Sequence, residues 1–140
     1  MKNFHSSSVE LDGKAVLIKG ESGSGKSSLA LKLITLGANL IADDQTNVFV
    51  QEGQVFLGAP TSLPAGLEIR GVGIVRVPLC EKASLKLVVD LSKIENKRFP
   101  TSFDRRIDIL GYSFPFYLFQ GIKDPGNVIY ALLKFGLMKL

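Results

Sequence analysis

Between an apolar run, Ala15-Val16-Leu17-Ile18, and a leucine-spaced stretch from Ser27 to Leu36 lies Gly20-Glu21-Ser22-Gly23-Ser24-Gly25-Lys26-Ser27, a complete G-x-x-x-x-G-K-[ST] pattern. Strand, glycine loop, helix is the order in which such a loop works. Its glycines let the backbone curl until successive N–H groups converge on one anion, and the following helix adds its positive end. Lys26 supplies a mobile charge for β- and γ-phosphates, and the Ser27 hydroxyl is placed to ligate Mg²⁺. The loop therefore predicts an α/β fold and a polyphosphate ligand. It leaves the base of any nucleotide unread.

The 140 residues suit one domain, taken here as residues 1–140, and 46% hydrophobic residues against 21% charged ones describe a globular chain. The net charge of +4 is scattered, without the basic stripe and stacking aromatics of a nucleic-acid surface. Cys80 is the sole cysteine, which excludes an internal disulfide or a multi-cysteine zinc site and suits a buried, inert thiol. The opening residues lack an apolar signal core, and no apolar run approaches a membrane span. The expected location is the cytoplasm.

Asp12-Gly13 between residues 9–11 and 15–18 predicts a hairpin, and Glu52-Gly53 predicts a second one over residues 47–57. Leu29, Leu33 and Leu36 mark the first helix, closed by Gly37; residues 40–44 read as a short strand ending in two carboxylates. Further strand is expected over residues 67–77, 85–91 and 107–119, the last interrupted by Gly111 and Pro115. Asp124 is expected to cap a final helix with Pro125 first and Val128, Leu132, Phe135 and Leu137 as its apolar face. The expectation is a mixed β-sheet covered by a P-loop helix and a C-terminal helix.

Asp43 and Asp44 follow Leu40-Ile41-Ala42 where neighbouring side chains point to opposite faces, so they divide two tasks. One can reach a metal shell or fix a neighbour while the other accepts a proton from an attacking hydroxyl; taken alone, the pair also reads as a turn device. In Leu67-Glu68-Ile69-Arg70-Gly71-Val72-Gly73-Ile74, Glu68 and Arg70 stand inside an apolar run, where burial without a partner would be costly. This stretch resembles the LEIRG-x-GI signature of the HPr kinase/phosphorylase family. The Ala42-Asp43-Asp44 triplet, the GESGSGKS loop and His5, fifteen positions before Gly20, resemble that family in order and spacing too.

The resemblance covers residues 4–138 and is closest to the short proteobacterial form, the catalytic domain without the N-terminal domain of longer members. It implies a bifunctional phosphotransferase-system regulator. Such an enzyme moves phosphate from ATP, or in some members pyrophosphate, to a serine of the phosphocarrier HPr, and back to inorganic phosphate; longer members form hexamers. Carried over by motif, Lys26 is the phosphate clamp within a loop formed by Gly20, Glu21, Ser22, Gly23, Ser24, Gly25 and Ser27. Ser27 and Glu68 hold Mg²⁺, Asp43 supports metal or loop, Asp44 is the base, and His5 lies near the transferred phosphate. Arg70 and residues 71–73 belong to a segment used in both directions, with a structural ion pair as the alternative for Arg70. Arg98 is favoured over Arg105 as the arginine that steadies transition-state charge. Ser28 replaces an acidic residue of longer members, and their C-terminal glycine-arginine segment is missing. A small-metabolite kinase and a nucleotide-binding module without turnover are the competing readings.

Overall fold

Residues 1–61, 64–101 and 103–138 are described by the computed structural model. The chain runs β1 (Lys2–Phe4), β2 (Ser7–Leu11), β3 (Lys14–Lys19), α1 (Lys26–Thr35), β4 (Asn39–Ala42), β5 (Thr46–Gln51) and β6 (Gln54–Gly58). It continues through β7 (Leu67–Ile69), β8 (Gly73–Val75), β9 (Lys82–Asp90), β10 (Arg106–Ile109), β11 (Tyr112–Leu118) and α2 (Pro125–Phe135). One mixed sheet has the order β1-β5-β6-β9-β3-β2-β4, with β11 added alongside β9 and β10 paired to β11. β7 and β8 form a separate two-stranded sheet.

β9 is the hub. Its first residues pair antiparallel with β6, with Lys82 opposite Gly58, while Val88, Val89 and Asp90 pair parallel with β11. β3 runs parallel along its other side, from Lys14 opposite Ser84 to Lys19 opposite Asp90. Period-two alternation in these strands divides the core. Val16, Ile18, Leu87 and Val89 pack against Leu29, Ala30 and Leu33 of α1 and Ile129 and Leu133 of α2. Ala15, Leu17, Leu85 and Val88 face the opposite way and meet Ile41, Ala42, Val48, Leu57 and Ile109. Residues from both ends of the sheet thus share the second core, which requires the sheet to curl.

Both predicted hairpins turn where expected, with Asp12 and Glu52 at left-handed φ values of 53°. The chain opens instead with β1, which pairs with β5. Residues 67–77 fold back on themselves as the β7–β8 hairpin, and both Glu68 and Arg70 are exposed, so the feared burial of charge does not arise. No ion pair to Arg70 is formed among the described residues. The α2 expectation needs two corrections. Asp124 occupies the N-cap position but makes no side-chain capping bond, its own backbone being left-handed at φ 52°. The buried stripe is Gly126, Ile129 and Leu133; of the expected face Leu132 is half-buried against the core, while Val128, Phe135 and Leu137 are exposed. The helix is apolar nearly all round, and the face one residue further along turned inward, with Gly126 against Lys32 and Leu29 of α1 and Ile129 and Leu133 in the first core. No helix among the described residues is long and apolar enough to cross a membrane.

Candidate active site

The glycine loop springs from the end of β3 and is braced by the end of β9. The Glu21 amide donates to Ser92 Oγ at 2.7 Å, and the Ser92 amide donates to Asp90 Oδ1 at 2.8 Å. Asp90 is buried, so this brace is made out of reach of water, where a hydrogen bond is stronger. Gly20 has no room for a side chain, because a Cβ there would collide with Ser24 Oγ. At Gly25 φ is 102°, a left-handed value that favours glycine, and the residue precedes α1 without supplying a side-chain cap. The first-turn amides of α1 therefore lack a capping side chain, as an anion site requires. Lys26 is buried to 8% exposure with Nζ donating to the carbonyls of Gly20 (2.9 Å) and Glu21 (3.1 Å).

The two adjacent aspartates separate as expected, but just past the end of β4 and through a left-handed residue rather than by strand alternation. Asp43 is half-buried and turns toward the loop, where its Oδ1 accepts from Ser27 Oγ at 2.8 Å and from Ser7 Oγ at 2.9 Å. Its Oδ2 accepts from the Glu68 amide at 3.4 Å, so the β7 backbone reaches the same carboxylate. Asp44, at φ 70°, turns the other way, and its Oδ1 lies 3.3 Å from His5 Nε2. That pair is open to solvent, with side-chain exposures of 64% for His5 and 63% for Asp44. A hydroxyl on a bulky partner can reach it. Loop lysine, loop serine, a carboxylate on that serine and a second, accessible carboxylate together have the parts for phosphoryl transfer to an alcohol.

Other predicted residues stand apart. Arg98 is exposed, its guanidinium 5.1 Å from the Phe99 ring centre, whereas Arg105 is half-buried and bonded to Glu95 at 2.9 Å and to the Asp104 carbonyl at 2.9 Å. Cys80 is half-buried, its Sγ donating to the Lys82 carbonyl at 3.3 Å, and burial, with the Glu10 charge as a lesser cause, pushes the thiol up from its ordinary value. Ser7, Asp90 and Ser92 are the residues that sequence reasoning missed. An apolar strand closing on an acid, Leu87-Val88-Val89-Asp90, was the signal for two of them; Ser7 carries no signal of its own inside a run of three serines.

The chain matches the family model described as the HPr Serine kinase C-terminal domain over residues 1–112. It is 36% identical over 126 residues to an HPr kinase/phosphorylase of Streptococcus mutans, covering 88% of this chain and 40% of that protein. It is 40% identical over 112 residues to one of Lacticaseibacillus casei, covering 74% and 34% respectively. The chain thus spans 34–40% of the length of these curated relatives. A solved structure of the Hpr(Ser) kinase/phosphatase from Coxiella burnetii superposes with a TM-score of 0.78 at 26% identity, covering 96% of this chain and 89% of that one. Matched by that family model over residues 1–112 and sharing its fold with such a relative over 96% of its length, the chain belongs to the HPr serine kinase C-terminal domain family.

Proposed function

We infer that the protein is an ATP-dependent serine kinase acting on an HPr-type phosphocarrier. The observation that carries this reading is the convergence of Ser7, Ser27 and the Glu68 amide on Asp43 while the next residue, Asp44, stands exposed beside His5. Ser27 and Asp43 offer the hard oxygen donors that Mg²⁺ takes alongside phosphate oxygens, with Glu68 on the neighbouring strand as a further carboxylate. Bound there, the ion would neutralise charge on the β- and γ-phosphates. Lys26 exchanges its loop carbonyls for phosphate oxygens. Asp44 takes the proton of the incoming serine hydroxyl, whose oxygen bonds to the γ-phosphorus as the bond to the β–γ bridging oxygen breaks; nucleoside diphosphate leaves. His5 holds the Asp44 carboxylate toward the acceptor. Run backward, Asp44 returns the proton. Arg98 is the arginine assigned to developing charge, Arg105 being committed to Glu95.

The test is to incubate the protein with Mg²⁺, ATP and its cognate HPr and to map phosphate by mass spectrometry. One phosphoserine is expected. Asp44→Asn should lower transfer by about 100-fold or more while leaving ATP affinity within about threefold, because a general base acts on chemistry rather than on ground-state binding. Unmodified HPr in the presence of bound ATP would overturn the reading.

A further inference from the structure

β1 pairs with β5 from Lys2 opposite Val48 to Phe4 opposite Thr46, and β2 pairs with β4 beginning at Ser8 opposite Ala42. The register is the same on both sides of the break. The two pairings are therefore one antiparallel ladder with residues 5–7 and 43–45 left out of it, and in that register Ser7 falls opposite Asp43 and Ser6 opposite Asp44. Each chain crosses the gap in a tight three-residue turn. The Ser6 amide donates to the Phe4 carbonyl at 2.9 Å, and the Gln45 amide donates to the Asp43 carbonyl at 2.8 Å. His5 and Asp44 are the centres of these turns. The break in the ladder thus throws both side chains out to solvent and brings them to 3.3 Å of each other.

A gap in a ladder leaves backbone groups without partners, and here side-chain hydroxyls take their place. Thr46 Oγ1 donates to the Ser6 carbonyl at 2.9 Å and lies 3.0 Å from Ser8 Oγ. Ser7 Oγ accepts from the Asp44 amide at 3.4 Å and donates to Asp43 Oδ1 at 2.9 Å. Ser6, Ser7, Ser8 and Thr46 are all at most 2% exposed, so water does not compete for these bonds. Of the four, Ser7 is the one whose hydroxyl bonds to both aspartates. We propose that Ser7 is a positioning residue that sets Asp43 toward the metal and Asp44 toward the incoming alcohol; the assignment rests on the kinase reading above. With Ser7 and Ser27 both donating to Oδ1, the Asp43 carboxylate is held in one rotation against the loop serine. Asp44 keeps a φ of 70°, a value that persists in a residue with a Cβ only where its surroundings impose it. The Ser7 oxygen imposes it by holding the amide of that residue. One hydroxyl thus ties the metal carboxylate and the base to a common point, and its loss displaces both.

Ser7→Ala removes both ties. Mn²⁺ titrated into protein holding one equivalent of ADP, and followed by electron paramagnetic resonance, should bind about tenfold more weakly than in wild type, the scale of losing a group that orients a metal-binding carboxylate. At saturating Mg²⁺, kcat for HPr phosphorylation should still be down about tenfold with KM for ATP within about threefold, because added metal does not restore Asp44. Ser7→Thr keeps the hydroxyl and should bring both values back to within about threefold of wild type. Ser8→Ala deletes an equally buried hydroxyl, one bonded to Thr46, and should lower the melting temperature while changing Mn²⁺ binding less than about twofold. Should Ser7→Ala not fold, Ser7→Cys, whose thiol is a weak donor, replaces it in both measurements with losses of about threefold or more. Mn²⁺ affinity unchanged by loss of the Ser7 hydroxyl, or weakened equally by Ser8→Ala, overturns the positioning role and leaves the kinase reading standing. Weakened Mn²⁺ binding in the Ser7 variant alone, with no phosphoserine formed on HPr by the wild type, overturns the kinase and leaves the positioning of Asp43. Wild-type protein that binds no Mn²⁺ with ADP overturns both.

Discussion

Both helices start from a left-handed residue that supplies no side-chain cap, Gly25 before α1 and Asp124 before α2, and both starts border the same cleft. There the likeness ends. Glycine takes φ 102° at no steric cost, whereas a residue with a Cβ at φ 52° carries strain on the order of 1 kcal/mol. α1 continues with Lys26, buried and cationic; α2 continues with Pro125, which has no amide hydrogen to give. One start concentrates donors and positive charge, and the other presents a carboxylate and one donor fewer. The same geometry favours an anion at α1 and a hydrogen-bond donor at α2.

Lys26→Ala should break the α1 side most severely, lowering phosphate transfer to HPr by roughly 10³-fold, the upper range for loss of one transition-state charge contact. A loss under tenfold in steady-state assays would mean that the amides alone carry the anion. The seating of α2 comes next. Leu133→Ala should cost about 2–5 kcal/mol in urea unfolding, against less than about 0.5 kcal/mol for Phe135→Ala, because only the first lies in the buried stripe. Equal costs would place α2 on its other face. Ser92→Ala removes the acceptor of the Glu21 amide and should loosen the loop by about 1 kcal/mol. That should appear as a severalfold rise in KM for ATP with kcat held, since the loop's grip and not the base is altered. The smallest effect is opposite in sign. Asp124→Gly should relieve left-handed strain and raise the melting temperature by about 2–4 °C, the response of a chain this size to about 1 kcal/mol. A lower melting temperature would show that the carboxylate stabilises α2 after all.

What was legible in the sequence is what neighbouring residues decide among themselves. Asp12-Gly13 and Glu52-Gly53 dictate their turns, and the glycine loop between an apolar strand and Leu29 and Leu33 dictates strand, loop and helix. That Asp43 and Asp44 point to different partners was expected at a strand end, although the left-handed turn at Asp44 that separates them, and the partners themselves, were not. Ser7 reaches Asp43 across 36 positions, and nothing local to either residue announces it. β9 shows the same limit from the other direction. Its apolar run was plain, but its service to three strands at once is a matter of long-range pairing. α2 failed for a different reason. With Val128, Ile129, Leu132, Leu133 and Phe135 in one helix, two adjacent stripes satisfy the same period, and Gly126, which lets Lys32 lie close, decides between them.

The brace between Glu21 and Ser92 joins residues 71 positions apart. A growing chain completes its glycine motif early, yet the support that shapes the motif arrives only with a strand made much later. Chain closure over that distance adds the last increment of the anion grip, so full affinity for phosphate becomes a clock for late tertiary assembly. Nucleotide added during refolding would accordingly act as a ratchet on the finished molecule, holding it by mass action, and would leave the earliest steps at their unassisted speed.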